Sequence, residues 1–278
     1  MHVLHFHHYP GRAKEICTGM IEILHCTYPQ NNPVLKDISL TINTGEIAGI
    51  IGKPGTGKSM LLKTLSGMNQ RRGPGSGSVA IHNKKINAFG RKELARTISY
   101  YNGRKPDNMD ESLFDFLMLS RISHKNFFRA FSEYDLQVVE QNIGYFDLTD
   151  LQKKRLGELS DIQMKKAMLA VSFIRTPKIL LMDNPTAGLD IGTIHTLSRE
   201  ITRSVAEGDT TAVIVTHDLN FIAQIADRII IIEGGEIAED GTVDLLNAET
   251  IRKYYSVEVF VSRNVYNGRP NIHLFPNN

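Results

Sequence analysis

Hydrophobic positions along this chain change their period in the order strand-like, helical, then mixed. From Met20 to about Asn102 apolar residues alternate with polar ones or bunch into short runs, which predicts strands over 20–28, 39–42, 47–51, 78–81 and 97–101. The stretch Arg72-Gly73-Pro74-Gly75-Ser76-Gly77-Ser78 reads as a loop between two of them. Between Pro106 and about Glu158 the spacing becomes helical, with Leu113, Phe114, Leu117 and Met118 on one face and Leu136, Val139, Ile143 and Phe146 on a later one. Beyond it come a strand at 179–182, a helix from about Gly192 to Ala206, a strand at 211–216, a helix near 219–225 and a strand at 228–233. Gly234-Gly235 then turns the chain into Glu236–Glu239, a hairpin signal. Alternating strands and helices predict an α/β doubly wound core on a parallel sheet, with an antiparallel β edge and an inserted helical segment.

Composition narrows this picture. With 278 residues, 41% of them hydrophobic, the chain can bury one large core or a core plus a subdomain. No apolar run reaches about 18 residues, so no segment is expected to span a bilayer by itself. A formal charge of +2 gives no electrostatic case for nucleic acid. Cys17 and Cys26 lack metal-ligand spacing and fit a reducing cytoplasm. Residues 1–19 stand apart: His2, His5, His7 and His8 surround no long apolar stretch of the kind a signal peptide needs. They read as a flexible, dispensable His-rich extension or an early start codon, with a metal-binding tail as the sharper alternative.

Candidate chemistry concentrates at three strand ends. Gly52-Lys53-Pro54-Gly55-Thr56-Gly57-Lys58-Ser59 fits G-x-x-x-x-G-K-[ST], between the apolar run Ile47–Ile51 and a helix beginning near Ser59. Glycines there let successive N–H groups approach phosphates, Lys58 supplies positive charge, and the Ser59 hydroxyl suits Mg²⁺. The plainer reading is a glycine turn before a helix. Asp183 ends the strand 179–182 and His217 follows the strand 211–216, so a carboxylate and an imidazole reach one sheet edge. An ordinary strand-end histidine is the alternative for His217.

With these motifs in order, the chain resembles the ATP-binding subunits of ABC transporters from Met20 onward. Leu159-Ser160-Asp161-Ile162-Gln163 stands where that family has LSGGQ, Asp183-Asn184-Pro185-Thr186-Ala187-Gly188-Leu189-Asp190 looks like Walker B running into the D-loop, and Thr216-His217-Asp218 like the switch histidine. The resemblance implies a P-loop NTPase fold, with core 20–103 and 157–278 and helical subdomain 104–156. It implies ATP contacts from Tyr28, stacking on adenine, from Gly52, Lys53, Pro54, Gly55, Thr56, Gly57, Lys58, Ser59 and Met60, and from Ser160 and Ile162 onto a partner's nucleotide. Mg²⁺ would be held by Ser59, Asp183 and the Q-loop residue, placed at Asn102. Asn184, His217, Asn102 and Asp190 would occupy the catalytic positions. The implied partners are a second ATP-binding subunit, identical or not, transmembrane permease subunits, and indirectly a substrate-binding protein, with no nucleic acid; the implied place is the cytoplasmic face of the membrane. Phe114, Phe127, Phe128, Phe131 and Tyr134 read either as a groove for a permease helix or as core packing. Arg91–Arg96, Ser120–His124 and Tyr254–Val259 leading to Gly268-Arg269-Pro270 are similar to importers of iron-siderophore, haem and cobalamin.

Departures from the family pattern imply slow turnover. Asn184 replaces a glutamate that polarises water, a contribution on the order of 10² to 10⁴ in rate. Asp161 and Ile162 replace signature glycines, with Asp161 expected to repel phosphate and Ile162 to obstruct close approach. Asn102 is one methylene shorter than the family's glutamine. In a head-to-tail dimer Asn184 serves its own loop while 160–162 serve the partner's, so each site carries a fault. A hydrolysis-impaired ATP-binding regulatory subunit is the alternative to an importer ATPase. A G-domain is disfavoured because Asn83-Lys84-Lys85-Ile86 lacks the aspartate of N-K-x-D, and a coiled-coil ATPase because long heptad runs are missing.

Overall fold

The unbroken apolar runs at 47–51 and 211–215 become adjacent parallel strands in the middle of the molecule. The computed structural model describes residues 19–68, 75–123, 130–208 and 210–275. The histidines of the N-terminal extension, Cys17, Arg72-Gly73-Pro74, His124, Phe127 and Phe128 lie outside the described residues.

In chain order the elements are β1 (Gly19–Tyr28), β2 (Leu35–Asn43), β3 (Ile47–Ile51), α1 (Lys58–Leu65), β4 (Ser76–Ile81), β5 (Lys84–Lys85), α2 (Arg91–Thr97), β6 (Ile98–Tyr101), α3 (Leu113–Leu119) and α4 (Glu133–Tyr145). They continue with α5 (Asp161–Ile174), β7 (Ile179–Asp183), α6 (Ile191–Glu207), β8 (Thr211–Val215), α7 (Leu219–Ile225), β9 (Arg228–Glu233), β10 (Glu236–Thr242), α8 (Ala248–Tyr255), β11 (Val259–Arg263) and β12 (Pro270–Leu274). A six-stranded sheet has the order β10-β9-β3-β8-β7-β6, parallel except for the antiparallel edge strand β10. A four-stranded sheet, β2-β1-β4-β5, is antiparallel, and β11 pairs with β12 alone.

Because β3 and β8 lie inside the large sheet with both faces covered, every one of their residues is buried and no alternation shows in the sequence. Side chains still divide between the faces with period two. Ile47, Ile51, Leu180, Met182, Ala212, Ile214, Ile229 and Ile231 pack with the helices α3 to α7. Ala48, Ile50, Leu181, Val213, Val215, Ile230 and Ile232 pack with α1 and the antiparallel sheet. Burying each such Ile, Leu or Val stabilises the fold by roughly 1.5–3 kcal/mol. Gly49 of β3 permits the close seating of α7, since a Cβ there would lie 2.4 Å from Ile222 Cγ1.

The strand expectations are met with shifted ends: the second strand starts at Leu35 rather than Ser39, and Ser76–Ser78 belongs to β4 rather than to the preceding loop. In α4 the buried face is Val138, Val139, Asn142 and Ile143, while Leu136 is 38% exposed, because the helix is rolled toward α5. A buried Arg121 links three helices: its Nε meets Asp135 Oδ1 at 2.8 Å and its Nη1 donates to Ile174 O at 2.8 Å and Thr176 Oγ1 at 3.0 Å. Phe114 and Phe131 are partly buried against the helical core, and Tyr134 is exposed beside Arg121. The helix α8 and the hairpin β11–β12 escape periodicity arguments, since α8 is short and the hairpin pairs only with itself.

Candidate nucleotide-binding site

The loop 52–57 leaves β3 and enters α1 through glycines at positive φ: Gly52 at 143°, Gly55 at 81° and Gly57 at 100°. Two of them also lie against backbone, with no room for a side chain at Gly52 and little at Gly57. A Cβ on Gly52 would sit 2.3 Å from Ile232 O, and one on Gly57 3.0 Å from Val34 O. Glycine therefore sets both the turn and the exposure of the loop amides. No side chain caps the first turn of α1, and no acidic residue stands there, so its N–H groups and dipole face outward to an anion.

Lys58 is only 5% exposed, and its Nζ donates to Gly52 O at 2.7 Å and Lys53 O at 2.6 Å. Burial lowers its pKa, with the Asp183 carboxylate pulling the other way. Beside it the Ser59 hydroxyl donates to Asp183 Oδ1 at 3.1 Å. Asp183 closes β7 in register with Val215 of β8, and two residues further His217 reaches the same edge. The His217 pKa is lowered by burial and then by the Lys58 charge, against an opposing pull from Asp183.

Asn184 sits between β7 and this edge, with φ 49° and its N–H donating to Val215 O at 2.7 Å. The carboxylate of Asp190 caps α6, accepting from Thr193 N at 2.9 Å and Thr193 Oγ1 at 2.7 Å. Its pKa is held below the usual range by those bonds. Pro54 is exposed at the rim of the loop and Thr56 is half-buried, with Thr56 Oγ1 donating to Lys53 O at 3.0 Å. Met60 packs against the α1-side core. Tyr28 joins the site through its main chain: its carbonyl accepts from Val34 N at 3.0 Å, and the Val34 carbonyl abuts Gly57. The Tyr28 ring lines a cleft of ≈ 230 Å³ with Cys26, Thr64 and Ser76.

Other expected residues lie further along the surface. Asn102 follows β6 next to Asp183 in the strand order, but its Oδ1 accepts from Arg104 N at 3.1 Å, within its own loop. Ser160 caps α5, with its N–H bonded to Gln163 Oε1 at 3.0 Å. Ile162, on the first turn, is 44% exposed. Asp161 is exposed and ion-paired: Lys105 Nζ lies 2.7 Å from its Oδ1, and that bond holds the carboxyl below its usual range.

Sequence reasoning missed several neighbours of the site. Tyr100 pairs with Leu181, so its ring shares a face with Asp183. Burial first, and then the Asp183 charge, push its phenol far above the ordinary range. Lys165 donates to Ala187 O at 2.9 Å, tying α5 to the loop after Asn184. Tyr255 of α8 accepts a hydrogen bond from Gly52 N at 2.9 Å. No local pattern signals that last contact, because 203 positions separate the partners.

A glycine-built anion cradle at a helix N-terminus, a buried amine, and a hydroxyl–carboxylate pair at the C-terminal edge of a parallel sheet define a P-loop nucleotide-binding protein. Residues 35–187 match the family described as ABC transporter, and the chain belongs to that family as an ATP-binding subunit. It is 31% identical to the energy-coupling factor transporter ATP-binding protein EcfA2 of Ligilactobacillus salivarius, over 79% of this chain and 77% of that one. It is 28% identical to the petrobactin import ATP-binding protein YclP of Bacillus subtilis, over 81% of this chain and 88% of the relative. A solved inward-facing putative metal-chelate type ABC transporter shares the fold, with a TM-score of 0.73 at 20% identity over 93% of this chain and 98% of that chain. Among the described residues no helix is long and apolar enough to cross a membrane.

Proposed function

We propose that this chain powers an ABC importer for an iron chelate such as a siderophore or haem, or for a cobalamin-like chelate, by ATP-driven closure of a head-to-tail dimer beneath permease subunits, with slow hydrolysis. The observation that carries the ATP-driven reading is the joint placement of the 52–59 cradle, Lys58, Ser59–Asp183 and the end of the strand before His217 on one edge. Support for the cargo comes from the petrobactin relative and the metal-chelate fold neighbour, together with the 254–259 and 268–270 tail.

In this reading the loop amides and the α1 N-terminus take the β- and γ-phosphates, and the Lys58 ammonium turns from the Gly52 and Lys53 carbonyls to them. The Ser59 hydroxyl and Asp183 carboxylate fit an oxygen-loving divalent ion, because a hydroxyl and a carboxylate side by side at a phosphate cradle offer hard oxygen donors. Mg²⁺ bound there supplies neutralisation of phosphate charge. His217 orients the γ-phosphate end, Tyr28 flanks the base, and Ser160 with Ile162 approaches the partner's nucleotide. Asn184 has no carboxylate with which to accept a proton from water, which is the reason for slow cleavage. The same substitution favours a second reading, a regulatory subunit whose ATP occupancy matters more than its turnover.

Copurification with membrane permeases and ATP-dependent dimerisation separate these readings. A dimer that forms with Mg-ATP and stimulates uptake of a ferric chelate in reconstituted vesicles is the expected result. Failure of calorimetry to detect Mg-ATP binding, with Lys58→Ala behaving as wild type, would refute ATP binding itself.

A further inference from the structure

We propose that Tyr255 is a positioning residue for the phosphate-binding loop, so that nucleotide affinity depends on how the C-terminal segment is seated. Gly52 is buried where the chain turns out of β3, and its N–H leaves the sheet ladder. A buried backbone donor needs a partner, and here the partner is the Tyr255 hydroxyl at 2.9 Å. The next residue repeats the contact: Lys53 Nζ donates to Ser256 Oγ at 3.3 Å. Ser256 is held in place as the left-handed cap of α8, at φ 60°, with its N–H on Arg252 O at 2.9 Å.

The same C-terminal segment grips the other side of the site. Asn220 of α7 makes a reciprocal pair with Ile272 of β12, at 3.0 Å and 2.8 Å. Gln224 Nε2 donates to Pro270 O at 3.2 Å, and Arg269 Nη1 donates to Ala226 O at 2.6 Å at the end of α7. Since α7 starts directly after His217-Asp218, α8 and the hairpin bridge the root of the phosphate loop and the helix that follows the histidine. Tyr254, Ile251 and Val259 are buried in the same core, which makes the bridge a packed unit rather than a loose tail. Tyr255 is partly buried against that core, and its hydroxyl meets the Gly52 N–H of the loop.

Removing the hydroxyl leaves the ring and its packing in place. Tyr255→Phe in the full chain is expected to weaken Mg-ATP and Mg-ADP binding roughly three- to tenfold, the size of one neutral hydrogen bond. Turnover at saturating ATP is expected to stay within about twofold, so that the change falls on KM rather than kcat. Hydrogen exchange should quicken in the peptide covering 47–58 and not across the chain. An unchanged affinity, or acceleration spread evenly over all peptides with a lower Tm, overturns the proposal as a purely structural contact. A second measurement needs no substitution. Linkage is reciprocal, so saturating Mg-ADP should slow exchange over 248–257 in the wild-type protein, and unaltered exchange there also overturns it.

Discussion

Replacing Asn184 by glutamate returns a proton acceptor to the junction of β7 and the His217 edge. The position is well fixed: the main-chain N–H is held by Val215 O at 2.7 Å, and the carbonyl accepts from Ala187 N at 3.3 Å. A carboxylate built there starts from the same point as the amide, so general-base help worth on the order of 10² to 10⁴ in rate becomes available. In the proposed dimer, where Ile162, 44% exposed at the start of α5, would obstruct the approach of the partner's nucleotide, the lower end of that range applies. Stability moves in the opposite direction. Asn184 has φ 49°, a left-handed conformation that asparagine tolerates better than glutamate, and the exchange costs about 1 kcal/mol. For a chain of this size that is a Tm lower by roughly 2–4 °C. Single-turnover hydrolysis, with protein in excess over ATP and phosphate measured after acid quench, reads the rate, while a thermal melt reads the strain. Asn184→Glu is expected to raise the rate by about 10²-fold, and Asn184→Glu with Ile162→Gly to raise it further. A wild-type rate already equal to the Asn184→Glu rate, or a double variant no faster than wild type, would refute the reasoning that these positions limit cleavage.

Further outcomes follow from the packing. Gly52→Ala places a Cβ 2.3 Å from Ile232 O, whereas a Cβ at Gly55 meets nothing within 4 Å, so the first should lower Tm more than the second and abolish Mg-ATP binding in calorimetry. Arg121→Ala strands the Asp135 carboxylate in a buried junction and should cost about 3–5 kcal/mol in urea unfolding, with Arg121→Met combined with Asp135→Leu recovering much of the loss. At alkaline pH the sign is set by groups that burial keeps neutral. Cys26 is raised from 9.0 and Tyr101 and Tyr255 from 10.0, so the unfolded chain releases these protons first. Stability should hold below about pH 9 and fall above it, and Cys26→Ala should delay the onset in melts taken from about pH 8 to 10.5.

Local chemistry was legible in the sequence because it depends on residues close together in the chain. The G-x-x-x-x-G-K-[ST] spacing, the apolar runs ending at Asp183 and before His217, and the turn at Gly234-Gly235 are each written within a dozen residues, and backbone geometry turns each directly into structure. Tertiary folding alone decided what crosses long separations. The Lys105–Asp161 pair joins residues 56 apart, and the bond from Gly52 to Tyr255 spans 203. The roll of α4 that exposes Leu136 and buries Val138 came from its packing partner, since a helix of 13 residues carries several nearly equal apolar stripes. A single chain records the side chains that can meet; only close packing of distant segments selects the pairs that do, because each such contact is stabilised by the surrounding core and not by its own sequence neighbours.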